Sequence, residues 1–186
     1  MEAFSYLSVL ISIVLGLAIT QVLQGYRTLL VARERVRFFG PTVGWGALLL
    51  VISVQMWWSM FGLWRHGDWT FLQFAAVLLQ VVLLYMLAAL VVPDVGRDEY
   101  VDLRKHYFAQ APWFFGFGLA LLVVSILKDL IVTGRWPGRS NLAFHALFFV
   151  SWGIAASSRS EAYHRILPWL TAVVFGLYIL MLFAKL

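Results

Sequence analysis

Six long apolar runs restrict the fold of this chain more than any other feature. A helix needs about 20 mostly apolar residues to cross a bilayer. Because lipid offers no partners to backbone polar groups, each run is expected to be helical. The sequence thus predicts an all-α polytopic membrane helix bundle with six transmembrane helices, forming one integral membrane domain over residues 1–186. The predicted spans cover residues 4–30, 42–63, 69–92, 113–133, 142–158 and 166–183.

Charge and composition limit the classes of partner that this chain is expected to bind. Only 12% of the residues are charged, against about 25% in a typical soluble domain. The net charge of +5 comes from Lys and Arg in short loops, so we predict the lipid bilayer, and no nucleic acid, as the partner. The absence of cysteine excludes disulfides and thiolate metal sites. We expect no cleavable signal peptide, because the first run is long and no basic segment precedes it.

The distribution of Lys and Arg predicts the orientation. The first, third and fifth loops and their flanks hold nine of these residues, and the opposite side holds four, or five with Lys128. Cytoplasmic loops carry such an excess. We predict a multi-pass protein of the bacterial inner (plasma) membrane with both termini on the non-cytoplasmic side.

The connection between spans three and four has an amphipathic pattern. Residues 98–110 begin with Asp98 and Glu99 and carry Arg104 and Lys105 further on, an order that suits the helix dipole. Their apolar side chains share one broad face. The pattern predicts one short interfacial helix on the cytoplasmic side; a solvated connector helix is the alternative.

Short matches between the two halves of the chain raise a second architectural hypothesis. Residues 16–18 and 118–120 are both Gly-Leu-Ala, and residues 84–87 resemble residues 177–180. Two halves of three spans would have opposite orientations, giving a 3+3 inverted repeat. The matches lie at different offsets, so chance similarity is the alternative.

The first span carries a strip of small and polar residues along one helical face. Steps of three and four residues keep positions on one side of a helix. Lipid does not favour such a strip, so it is expected to face other helices or water. Its members are Ser5, Ser8, Ser12, Gly16, Thr20, Gln24 and Arg27.

Lys128 and Asp129 are charged residues inside the fourth span. Ionisable residues in a span are costly and often mark function. Neighbouring helical residues point about 100° apart, so the two are not expected to face one another. Asp129 shares a face with Ser125 and Gly118, which predicts that it lies between helices. Lys128 is close enough to the helix end for snorkelling to be the alternative.

Polar side chains of several spans fall at one depth in the outer half of the membrane. Together with the strip on span one they predict a polar cavity or pathway, and hydrogen bonding between helices is the alternative. The candidate residues are Ser5, Ser8, Ser12, Thr20, Gln24, Gln55, Gln73, Gln80, Lys128, Asp129 and His145. His145 could ligate haem or metal, but no second histidine lies deep in a span. A structural role is therefore favoured, and no metal or cofactor is predicted.

Functional motifs are missing from the sequence. It has no HExxH, P-loop, GxSxG or paired-carboxylate motif in a credible setting, so no catalytic residue is predicted and an enzyme is not favoured. The leading hypothesis is a small inner-membrane channel or transporter for an ion, proton or small polar solute. The alternative is a non-enzymatic accessory or scaffold subunit. Either function predicts a homo-oligomer or a membrane-protein partner.

Overall fold

The computed structural model describes residues 3–60, 62, 69–96 and 100–182. These residues form six α-helices, a short 3-10 helix at Arg33–Arg35 and two short strands. The helices are α1 (Ala3–Val31), α2 (Gly40–Met60), α3 (Phe71–Val91), α4 (Leu103–Thr133), α5 (Arg139–Ser157) and α6 (Glu161–Leu182). Five of them, all except α5, are long and apolar enough to cross a membrane. The prediction of an all-α protein rich in membrane-spanning helices is confirmed at this level.

The helices alternate in direction, which creates two distinct ends. The amino-terminal parts of α2, α4 and α6 meet through Trp45, Tyr107 and His164. The carboxyl end of α3 joins them, because the carbonyl of Leu90 accepts a hydrogen bond from His106. The first loop, with Arg33, Arg35 and Arg37, lies at the same place. We call this the basic end of the bundle.

A short parallel pairing of β1 (Val36–Arg37) with β2 (Val101–Asp102) ties the first and third loops together at the basic end. Arg37 Nη1 lies 3.1 Å from Asp102 Oδ2. Asp102 also caps α4, because its Oδ1 accepts hydrogen bonds from the backbone amides of Arg104 and Lys105. A side chain of this type at the N-cap pairs amides that the helix itself leaves unpaired.

The predicted interfacial helix over residues 98–110 is wrong where the structure describes it. Residues 101–102 are extended, and residues 103–110 are the first turns of α4. Asp98 and Glu99 lie outside the described residues. The amphipathic face packs on the protein rather than on the membrane surface, since Leu103 and Tyr107 are buried.

Two helices also begin earlier than the apolar pattern indicates. α4 begins ten residues before the predicted start at Trp113, and α6 begins five residues before the predicted start at Ile166. Both continue through an internal proline, Pro112 and Pro168. Proline is tolerated inside membrane helices where neighbouring groups re-pair the backbone. Pro168 lies against α2, where a side-chain carbon at Gly44 would meet it at 3.2 Å.

Part of the core is a cluster of buried aromatic rings near the basic end. Trp45 of α2 makes edge-on contacts with Phe115 of α4 and Trp152 of α5, at 5.6 and 5.4 Å between ring centroids. All three are buried. Offset and edge-on pairs of this kind add stability beyond the burial of their area. We call these three residues the aromatic block.

Candidate functional site

A cavity of about 260 Å³ lies among α2, α3, α4, α5 and α6, between the aromatic block and the end of the bundle opposite the basic end. Nine of the 18 described residues that line it are polar or charged. Ile52, Leu121 and Phe148 are among its apolar residues. Its polar and charged residues are Gln55, Ser59, Gln80, Ser125, Lys128, Asp129, Asn141, His145 and Thr171, joined by the polar edges of Trp152 and Tyr178.

Lys128 and Asp129 form an ion pair on the α4 wall of the cavity. Lys128 Nζ lies 3.0 Å from Asp129 Oδ1, and the two side chains are 15% and 30% exposed. The expectation that neighbouring residues would not face one another is wrong, because the long lysine side chain bends back over the helix surface. Lys128 lines the cavity and pairs there with Asp129.

His145 and Asn141 supply the α5 wall. His145 Nδ1 lies 2.9 Å from the carbonyl oxygen of Asn141. Since a carbonyl only accepts, Nδ1 carries a proton. The side-chain Oδ1 of Asn141 is buried and has no hydrogen-bond partner among the described residues. One buried acceptor of a residue that lines the cavity is therefore left without a donor from the described part of the chain.

Trp152 separates the cavity from the aromatic block. Its ring is 4% exposed, and its Nε1 hydrogen has no acceptor in the part of the chain that the structure describes. Gly118 of α4 makes room for this ring, since a side-chain carbon there would overlap it. A buried donor without a partner costs about 1–3 kcal/mol.

The structure brings together five of the predicted site residues: Gln55, Gln80, Lys128, Asp129 and His145. Gln73 is elsewhere. It forms a capping box at the start of α3. Its side-chain Oε1 accepts a hydrogen bond from the backbone amide of Thr70, and its backbone amide donates one to the hydroxyl of Thr70.

The strip on α1 does not line this cavity. Ser12, Thr20 and Gln24 are exposed on the outer surface of the bundle, and Ser8 is half-buried. The opposite face of α1, with Ile11, Leu15, Ala18 and Val22, is the one that packs inward. The side chain of Ser5 lies outside the described residues.

Sequence reasoning missed the α6 wall. Thr171, Phe175 and Tyr178 line the cavity, and their spacing of four and three places them on one helical face. That spacing could have indicated a shared face of α6. Phe175 and Tyr178, however, are aromatic and resemble ordinary core residues.

Two further observations bear on the site. In the described part of the chain, no group of three His, Asp or Glu residues could hold a metal ion. Comparison with protein families, with curated proteins and with solved structures gives no match to this chain.

Proposed function

We propose that this protein is a small membrane transporter that binds a small polar solute in the cavity beside Lys128 and Asp129. One observation carries the proposal: a cavity inside an apolar bundle is lined by an ion pair and by residues whose buried polar atoms have no partner in the described part of the chain. Ionisable residues inside a membrane segment typically line substrate or ion pathways. Polar groups used only to join helices would be paired with one another.

The aromatic block favours a transporter over an open channel. Trp152 lines the cavity and contacts Trp45, which donates a hydrogen bond to Tyr107 at the basic end. This chain of buried rings lies between the cavity and the basic end. A continuous pore would need an unobstructed path, whereas a cavity blocked at one end corresponds to one state of alternating access.

Six spans, rather than five, form part of the proposal. The amino-terminal turns of α4 and α6 lie together, since Arg104 Nε is 2.7 Å from Glu161 Oε2. α4 carries the chain away from that end over 31 residues, about 46 Å at about 1.5 Å per residue. α5 must return it before α6 begins, so we assign α5 as a sixth span despite its more polar start. With the basic end in the cytoplasm, both termini and the cavity are on the outer side of the bacterial inner membrane.

Proteoliposomes test the transport proposal. Purified protein is reconstituted, and the uptake of a panel of labelled amino acids, amines, organic acids and sugars is measured. Ser125→Trp places an indole in the cavity, and Val123→Trp, at an exposed position on the same helix, is the matched control. Uptake of one solute class by the wild type and by Val123→Trp, but not by Ser125→Trp, supports a transporter. Equal uptake by all three proteins, or none by any, contradicts it.

The outward strip on α1 favours the second candidate, an accessory subunit. Ser12, Gly16, Thr20 and Gln24 are exposed on a helix that is otherwise apolar. Small and polar residues promote close association of membrane helices. Ser12→Leu together with Thr20→Leu should release a bound partner helix or a second copy, measured by co-purification and by mass in detergent. A heteromeric complex that is lost in this variant, without transport by the isolated protein, would favour the accessory function.

A further inference from the structure

We infer that the solute is a zwitterion of about the size of an aromatic amino acid, held by Lys128 through its carboxylate and by Asp129 through its ammonium group. This inference rests on the proposed function and adds the chemical class of the solute. It follows from the charges of the cavity, from its shape and from the polar atoms that lack partners.

The charge of the cavity wall is balanced. Among the described residues that line it, Lys128 and Asp129 are the sole Lys, Arg, Asp or Glu side chains, and they pair with each other at 3.0 Å. A ligand with a single positive charge would be repelled by Lys128, and one with a single negative charge by Asp129. A zwitterion replaces one ion pair with two, and so keeps every charge compensated.

The ion pair can open without breaking the fold. The contact uses only Oδ1 of Asp129 and at most one of the three donors on Nζ. The two side chains leave the same helix at neighbouring positions and diverge by about 100°. When they separate, the ammonium and carboxylate groups present a donor and an acceptor side by side, as the α-carbon of an amino acid requires. Asn141 also lines the cavity, and its buried Oδ1, which has no partner among the described residues, supplies a second acceptor for the ligand's ammonium hydrogens.

The rest of the cavity fits an aromatic body with a polar tip. Leu121, Leu122, Phe148 and Phe175 provide apolar surface. Trp152 provides a buried N–H that lacks an acceptor. Leu121 and Lys128 are seven residues apart on α4, about 10 Å along the axis. That length suits a phenol or similar acceptor at one end of the ligand and the two charged groups at the other.

Isothermal titration in lipid nanodiscs tests the charge class. The probes are L-tyrosine, tyramine, which lacks the carboxylate, and 3-(4-hydroxyphenyl)propionate, which lacks the ammonium group. Tyrosine should bind at least about tenfold more tightly than either analogue, because each missing group strands a charged partner. Tyramine or the propionate binding as tightly as tyrosine would overturn the zwitterion assignment.

Two variants test whether Lys128 binds the carboxylate of the ligand and Asp129 binds its ammonium group. Lys128→Met should reduce tyrosine affinity and raise that of tyramine relative to it, and Asp129→Asn should do the same for the propionate. An unchanged order of affinities in correctly folded variants would overturn the assignment. If a variant does not fold, the relative affinities of the three probes for the wild type still test the zwitterion assignment.

The two proposals fail in different ways. Binding of none of the three probes would overturn the zwitterion inference. Uptake that is sensitive to Ser125→Trp, for a solute of any charge class, would still support the transporter. Loss of both results would remove the proposed function as well.

Discussion

The phenol oxygen of Tyr107 lies 2.9 Å from Nδ1 of His164 at the basic end of the bundle. His164 Nε2 lies 2.9 Å from the carbonyl oxygen of Ser158, so Nε2 carries the proton. Tyr107 therefore donates to Nδ1 and accepts from Trp45 Nε1 at 3.2 Å. This network pairs the side chains of α2, α4 and α6 with one another and closes the basic end behind the aromatic block.

Tyr107→Phe should destabilise the protein. The change strands His164 Nδ1 and Trp45 Nε1, both buried, at a cost of about 1–3 kcal/mol for each group. The measurement is thermal or denaturant unfolding in detergent, followed by tryptophan fluorescence. Tyr100→Phe is the control, because Tyr100 is 66% exposed, and it should change stability by less than about 0.5 kcal/mol. Equal stability of the two variants would show that the network does not hold the basic end together.

Gly118→Ala should also destabilise, because its new methyl group overlaps the ring of Trp152. Overpacking of this kind costs about 1–3 kcal/mol. Gly116→Ala lies two residues away on the same helix with no neighbouring atom within 4 Å. It should instead be neutral or stabilising by up to about 1 kcal/mol through helix propensity. Unfolding of the two variants side by side is the test, and stabilisation by both would mean that Trp152 moves freely.

Part of this architecture could be predicted from the sequence. Long apolar runs predict helices because the backbone must pair with itself inside lipid. The predicted end of the third span at residue 92 lies one residue beyond the end of α3 at Val91. The start of α4 could not be predicted, since Leu103 and Tyr107 give the same amphipathic pattern whether they face lipid or, as here, the protein.

The candidate site was predictable only in part, for a related reason. The charged pair and His145 stand out against apolar surroundings, and the structure places them at one cavity. The polarity of α1 did not indicate which of its faces packs inward. The buried face is the apolar one that carries Ile11, Leu15 and Ala18. Helical spacing identifies a face, but not the neighbour that covers it.

Acid should weaken the capping of α4 by Asp102. The pKa of this carboxyl lies below its ordinary value of 3.8, first because the backbone amide of Lys105 donates to it, and also because the amide of Arg104 and the guanidinium of Arg37 favour the charged form. The folded pKa is therefore the lower one. This contribution to stability is present above pH 3.8 and is lost as the pH falls through the folded pKa.

Two substitutions separate the cap of α4 from its charge. Asp102→Asn keeps an N-cap acceptor but removes the titration and the ion pair with Arg37, whereas Asp102→Ala removes all three. The melting temperature near neutral pH should fall in the order wild type, Asn, Ala. The difference between wild type and the Asn variant should shrink below pH 3.8. A difference that does not depend on pH would contradict the role of the charged form.

Single cysteines report the orientation, and the natural chain contains none to interfere. Ala3→Cys should react with a membrane-impermeant maleimide from outside the cell, because the excess of Lys and Arg places the termini there. Glu34→Cys, in the first loop, should react only after the membrane is opened. The reverse pattern would invert the bundle and place the cavity on the cytoplasmic side.

Removing one member of the Lys128–Asp129 pair should cost more stability than removing both. Asp129→Ala leaves an ammonium group that is only 15% exposed without its partner at 3.0 Å. Fully buried pairs cost about 3–5 kcal/mol when broken and exposed ones less than about 1, so a partly exposed pair should lose about 1–2. Lys128→Met combined with Asp129→Leu replaces both charges with apolar groups of similar size and should recover most of that loss. Denaturant unfolding of the wild type, of Lys128→Met, of Asp129→Leu and of the double variant gives the coupling energy. A coupling energy near zero would mean that the two charges are solvated independently, and the cavity would then lack the balanced pair from which its solute was inferred.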